Sequence, residues 1–187
     1  MPAITIDINA TAGEQKVARL LRAIESQTLL KAIGGGLLGY VDRQFKTHGG
    51  GSWSPLSQLT LQLRQHGGNQ PLRDSGHYAH TFVSDSGGPG TDYQTDNQTY
   101  VEVGSNLKVG GFSLAKIQEF GTGPYTIRVK RAKVLAAQTR AGAWFFFGKE
   151  VHHPGVPARP VLPTAPAAEQ MIKETVDAML AVAAKDD

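Results

Sequence analysis

Apolar residues near the start of the chain recur at helical spacing. Val17, Leu20, Leu21 and Ile24 stand at i, i+3, i+4 and i+7, which is one face of a helix. The pattern predicts an amphipathic helix over residues 11–28, with Thr11 as N-cap and Glu14 as its capping-box partner. Leu30, Ile33, Leu37, Val41 and Phe45 carry a second stripe over residues 29–47. Gly34, Gly35 and Gly36 interrupt it at a cost of about 1 kcal/mol each relative to alanine. We read the helix as continuing through them, with another backbone crossing closely there. Ahead of both helices, Ile4, Ile6 and Ile8 alternate with polar residues in the period of a strand.

Residues 48–52 read as a flexible glycine-rich link. Pro55 then opens a short helix to about His66, since proline is tolerated in a first turn, and Gly67 to Pro71 ends it. Asp74 or Ser75 caps a further turn, and Tyr78 to Ser84 is read as strand. The stretch near residues 86–98 is almost free of aliphatic side chains and reads as a mobile loop or hairpin tip. Val101 and Val103 form a strand with Glu102 facing water. Leu114 to Phe120 is a short helix closed by Gly121.

Strands follow at 126–130, 134–137 and 143–148. The last holds the aromatic run Trp144, Phe145, Phe146 and Phe147, read as sheet core or as an interface face. Core is the better reading, because aromatic side chains are mainly buried. A final helix over 164–184 has Thr164 as cap and Ile172, Val176, Leu180 and Ala183 as its apolar face. This order predicts a single α+β domain: a small mixed or antiparallel sheet packed against N-terminal helices and a C-terminal helix, with long loops or arms.

Composition removes several functions. No run of about 18 apolar residues exists to cross a membrane, and the N-terminus lacks the pattern of a signal peptide. The chain has no cysteine, so disulfides and thiolate zinc sites are excluded. His77 and His80, or the adjacent His152 and His153, lack the spacing of known zinc motifs, and no cofactor is expected. A nucleophile elbow and a phosphate-binding loop are both missing. Ser75 and His77 are two apart and do not face each other on a helix. The expectation is a protein that is not an enzyme.

Charge changes the picture through its distribution rather than through the net +3. Arg128, Lys130, Arg131, Lys133, Arg140 and Lys149 lie between Gly121 and Lys149 with no Asp or Glu among them. A basic hairpin near 122–150 fits a solvated face, an acidic neighbouring subunit or a phosphate backbone. If the chain forms a ring around a DNA passage, Arg128, Lys130, Arg131 and Lys133 are the candidates to face its lumen.

One stretch is unusual: Val156-Pro157-Ala158-Arg159-Pro160-Val161-Leu162. Two prolines fix φ and remove backbone donors, so the segment is a stiff extended strap. Its single arginine offers a fork of donors for a carboxylate or for backbone carbonyls of a partner. The other reading is an internal ion pair that pins the strap. The strap resembles the "IPARPFL" signature of the phage virion morphogenesis family, the tail-completion proteins of Mu-like phages. Three further stretches agree in order: Trp53-Ser54-Pro55-Leu56-Ser57, Leu72-Arg73-Asp74-Ser75-Gly76, and Val101-Glu102-Val103-Gly104-Ser105 followed by Ala115-Lys116-Ile117-Gln118-Glu119-Phe120-Gly121. Lys116 and Gln118 depart from the usual pattern, and residues 122–150 are longer than in a minimal member.

The resemblance implies a structural virion protein that completes or terminates the tail at the neck, as a homo-oligomeric ring of six copies assembled in the host cytoplasm. Expected partners are other copies of the chain, the tail tube protein, head–tail connector or adaptor proteins, and non-specific contact with passing DNA, with no membrane partner. Interface candidates are Trp53, Trp144, Phe145, Phe146, Phe147, Pro157, Arg159 and Pro160. Alternatives are a head-side connector or minor capsid protein, and a DNA-binding module.

Overall fold

The computed structural model describes residues 14–18, 21, 26–83, 95–96 and 101–185. The expected strand at Ile4–Ile8, the Thr11 cap and most of the loop near 86–98 lie outside these residues. Residues 14–18 and 21 are helical. Helix α1 (Ser26–Thr47) is followed by α2 (Gln58–Leu63) and α3 (His77–Val83). A small hairpin of β1 (Thr95–Asp96) and β2 (Val101–Glu102) precedes a second one, β3 (Lys108–Val109) and β4 (Phe112–Ser113). Helix α4 (Leu114–Phe120) leads into β5 (Tyr125–Arg128), β6 (Leu135–Gln138), β7 (Trp144–Gly148) and β8 (Glu150–His153), and α5 (Ala165–Lys185) closes the order. The fold is α+β, as the sequence pattern predicts, and its sheets are all two-stranded and antiparallel among the described residues.

Helix α1 runs unbroken through Gly34, Gly35 and Gly36. Helix α5 packs along α1, but no backbone crosses closely at Gly35 or Gly36 as expected: a Cβ at Gly36 would reach only the Met171 and Thr175 side chains, at 4.0 Å, and one at Gly35 would meet nothing. Helix α5 has no fully buried residue, so it covers α1 as an outer layer. Of its expected apolar face, Val176, Leu180 and Ala183 are half-buried while Ile172 is exposed.

The buried core is a small aromatic cluster. Phe45, near the end of α1, meets Trp53, Tyr78 and Phe82 at centroid distances of 6.0, 5.8 and 5.9 Å. The Trp53 and Tyr78 contacts are edge-to-face, the arrangement that the ring quadrupole favours. Val41, Ala79 and Val161 complete the cluster. Tyr78, Ala79 and Phe82 all belong to this core, a spacing of i, i+1 and i+4 that one side of a helix can hold and one face of a strand cannot, so residues 77–83 form α3 rather than the expected strand. A helix puts i and i+4 on one face; a strand would put Ala79 and Phe82 on opposite faces.

The segment read as a flexible link is a hydrogen-bonded turn. His48, Gly49, Gly50 and Gly51 all have positive φ, and Gly49 N and Gly51 N donate to the carbonyls of Gln44 and Thr47. A Cβ at Gly49 would fall 2.4 Å from the Trp53 ring. Glycine is required there, and the turn delivers Trp53 into the core. Helix α2 starts three residues after Pro55, because the Ser57 side chain accepts from Thr60 N and caps it.

Candidate functional site

Two features carry the functional reading: the strap at 156–162 and a β-ribbon formed by residues 125–153. The strap is held by its own chain at nearly every step. Thr122 N donates to Val156 O, and Val156 N donates to the Thr122 hydroxyl. Arg159 N donates to Gln118 O at 2.6 Å, and Val161 N donates to the Glu119 carboxylate at 3.0 Å. On the other side Trp53 Nε1 donates to Pro160 O at 3.1 Å. The strap therefore lies between α4 and the segment around Trp53.

Arg159 is buried, at 6% exposure. Its Nε and Nη2 donate to Ser54 O at 3.2 and 3.0 Å, and Nη2 also reaches Pro55 O at 3.4 Å. Burial lowers its pKa from the usual arginine value, but a guanidinium stays protonated in proteins. The fork thus reads backbone carbonyls, as its geometry suits, but those of its own chain. No described carboxylate pairs with it, and the pin among the described residues is a set of charge-assisted hydrogen bonds. Trp53, at 6% exposure, is likewise spent inside the chain. Both residues stood as interface candidates on the sequence, and the structure places both side chains in the interior. Pro157 and Pro160 remain on the outer surface of the strap.

A second buried arginine organises the loop between α2 and α3. Arg64 Nη1 donates to Gly68 O and Gln70 O at 3.2 and 2.8 Å, and its Nε to Asp74 at 3.3 Å. Asp74 also accepts from His66 N at 3.1 Å. Partial burial pushes the Asp74 carboxyl up, but the hydrogen bonds from His66 and Arg64 outweigh it, and the group sits below the ordinary aspartate range. Ser75 accepts from His77 N at the start of α3. The Tyr78 hydroxyl is raised by burial first and by the Glu119 carboxylate second.

The aromatic run is outside the core. β7 pairs with β6, and β8 with β5, both antiparallel, so residues 125–153 form one two-stranded ribbon turning at Thr139–Gly142. Trp144 and Phe146 are 56% and 68% exposed, on one face, with rings stacked at 6.4 Å. Phe145 and Phe147 are half-buried on the other face. This overturns the expectation of a core strand: the ribbon has only two strands, and no described element covers its Trp144 face. The ribbon is tied at both ends. Its tip meets the loop after α2, where Gln65 donates to Gln138 O and Arg140 to His66 O.

The basic interval maps onto this ribbon. Arg128 is paired with Glu150 across the strands at 3.0 Å. Lys130, Arg131 and Lys133 are exposed, and no described carboxylate lies within ion-pair distance of them. The ribbon's two histidines are occupied locally: His152 pairs with the Thr126 hydroxyl, and His153 accepts from Gly155 N and stacks on Tyr125 at 4.7 Å. Among the described residues no group of three metal-ligating side chains comes together, and no helix is long and apolar enough to cross a membrane.

The model of the phage virion morphogenesis family matches residues 8–181. The chain belongs to that family. No curated protein and no solved structure matches it. Family membership gives the chain a structural or assembly role in a phage virion. The stretches that carried the resemblance are largely those that build the strap's clamp. Ser54 and Pro55 receive Arg159, Gln118 and Glu119 receive the strap's N–H groups, and Asp74 fixes the loop beside them. The Ser105 hydroxyl bonds the buried Thr81 of α3 at 2.7 Å. The family signature is thus mainly architectural. The aromatic run offered the exposed arrangement of Trp144 and Phe146 only as the second of two readings.

Proposed function

We propose that this protein completes or terminates a phage tail at the neck, as a closed ring of copies of the chain. The observation that carries this reading is the exposed, stacked Trp144–Phe146 pair on a ribbon outside the core of a virion morphogenesis protein. Large apolar side chains presented together mark an interaction surface. A lone two-stranded ribbon is marginal in water, and its unpaired edges are templates for another chain. A ring is built from heterologous interfaces that close on themselves, so one ribbon seated on the next copy would supply its seam. Pro157 and Pro160, exposed on the strap just after the ribbon's base, are a second candidate contact.

Such a protein acts by binding. Its ring would cap the tail tube on one side and receive the head connector on the other. Virion association follows from that role, with assembly in the host cytoplasm. The test is the mass of the purified protein over a concentration series, with negative-stain images of any large species. Closed rings that a Trp144→Ser/Phe146→Ser variant fails to form are the expected result. A strict monomer at every concentration, unchanged by tail tubes, argues against it. Attachment of the protein to tail-less heads identifies the head-side connector instead.

A further inference from the structure

The ribbon's most irregular part is also its most charged. Pairing holds Arg128 opposite Glu150 and resumes with Leu135 opposite Gly148. Residues 129–134 therefore bulge out of the ladder opposite the single residue Lys149, tied to it only by Val129 N donating to Lys149 O at 3.1 Å. Lys130, Arg131, Ala132, Lys133 and Lys149 are exposed, while Val129 and Val134 are half-buried. Among the described residues the N–H groups of 130–134 donate to no partner.

We infer that this bulge is a binding site for the phosphate backbone of duplex nucleic acid, gripped without regard to sequence. The polar side chains that the bulge presents, Lys130, Arg131, Lys133 and Lys149, are all cations. Lysine, arginine and free backbone N–H groups are the groups that contact phosphate oxygens. A protein partner would call for something else. Protein hot spots are centred on a packed aromatic or apolar anchor, and here the sole exposed apolar side chain is that of Ala132. The aromatic pair lies elsewhere, on the tip-ward half where Phe146 faces Ala136 and Trp144 faces Gln138. The bulge's cations thus stand apart from the Trp144–Phe146 pair. The inference rests on the chain itself and stands whether or not the ring forms.

The experiment measures binding of the full-length protein to a short fluorescent duplex of random sequence across a salt series, with the protein's mass recorded in the same buffers. About four cations on phosphate give a log–log salt slope of about −3.6, so affinity should fall on the order of 100-fold between about 50 and 200 mM salt. The Lys130→Ala/Arg131→Ala/Lys133→Ala variant should fall only about 3- to 4-fold over that range. A control, Lys116→Ala/Lys185→Ala, removes exposed cations elsewhere and should keep the wild-type slope. An unchanged thermal transition verifies that each variant is folded. Absence of duplex binding at about 50 mM salt, or an unaltered slope in the triple variant, overturns the inference. So does polyglutamate binding the wild-type protein as tightly as the duplex, which would make the bulge a seat for an acidic protein face.

Discussion

The Arg159 guanidinium donates twice to the carbonyl oxygen of Ser54, from Nε at 3.2 Å and from Nη2 at 3.0 Å. The bond joins residues far apart in sequence and closes the strap over the core beside Val161. Removing the side chain leaves the Ser54 and Pro55 carbonyls without this donor and opens a gap under the strap.

Arg159→Ala is expected to destabilise the fold by about 2–3 kcal/mol, the scale of a buried hydrogen bond to a charged group. Arg159→Lys keeps the charge but loses the fork and should recover only part of this. Denaturant unfolding of the three proteins measures it. If Arg159→Ala unfolds like wild type yet fails to assemble, the residue acts at an interface instead.

Asp74 sets an acid limit. Its folded carboxyl lies below the ordinary aspartate range, so the stability it contributes is fully present above the unfolded value. That stability is lost as pH falls through the lower, folded value. Unfolding free energy followed from neutral pH down past the aspartate range should decline more steeply for wild type than for Asp74→Asn. Parallel curves would remove Asp74 from the acid transition.

Trp144→Ser/Phe146→Ser should leave the monomer's stability within about 0.5 kcal/mol, as exposed substitutions do, while abolishing assembly. Thermal unfolding and sedimentation are read on the same sample. A large fall in the thermal midpoint would mean that the pair supports the fold instead.

Glycines at two places should respond in opposite directions. A Cβ at Gly155, where φ is +101°, would fall 2.2 Å from Thr122 O. Gly155→Ala should therefore cost at least about 1–3 kcal/mol. Gly35 lies within α1 and faces open space, so Gly35→Ala should stabilise by up to about 1 kcal/mol through helix propensity. Paired denaturation curves test both signs.

Periodicity made α1, α4 and α5 legible because each has an apolar stripe, a cap or a terminal glycine that local chemistry dictates. Gly121, with φ of +69°, ends α4 where the sequence places the stop. What was not legible depended on contacts distant in sequence. Residues 77–83 suit a strand by composition, and only the core they join decides for helix. The unbroken aromatic run Trp144–Phe147 marks a strand but does not say which of its faces is covered. Arg159 advertised a fork without saying whose carbonyls it would read. Of the candidate site, the strap was found and its partner was not. The bulge's charge was visible, but its departure from the ladder was not.

The ribbon leaves the body after Thr122 and returns at Val156, and those two residues are bonded to each other twice. Everything between them is a closed excursion from a fixed doorway. Beyond that doorway it touches the body mainly through exposed polar contacts at its tip. Lengthening, trimming or recharging the excursion leaves the clamp of Trp53, Arg159 and Glu119 untouched. Selection can therefore rewrite what this protein meets without renegotiating how it folds.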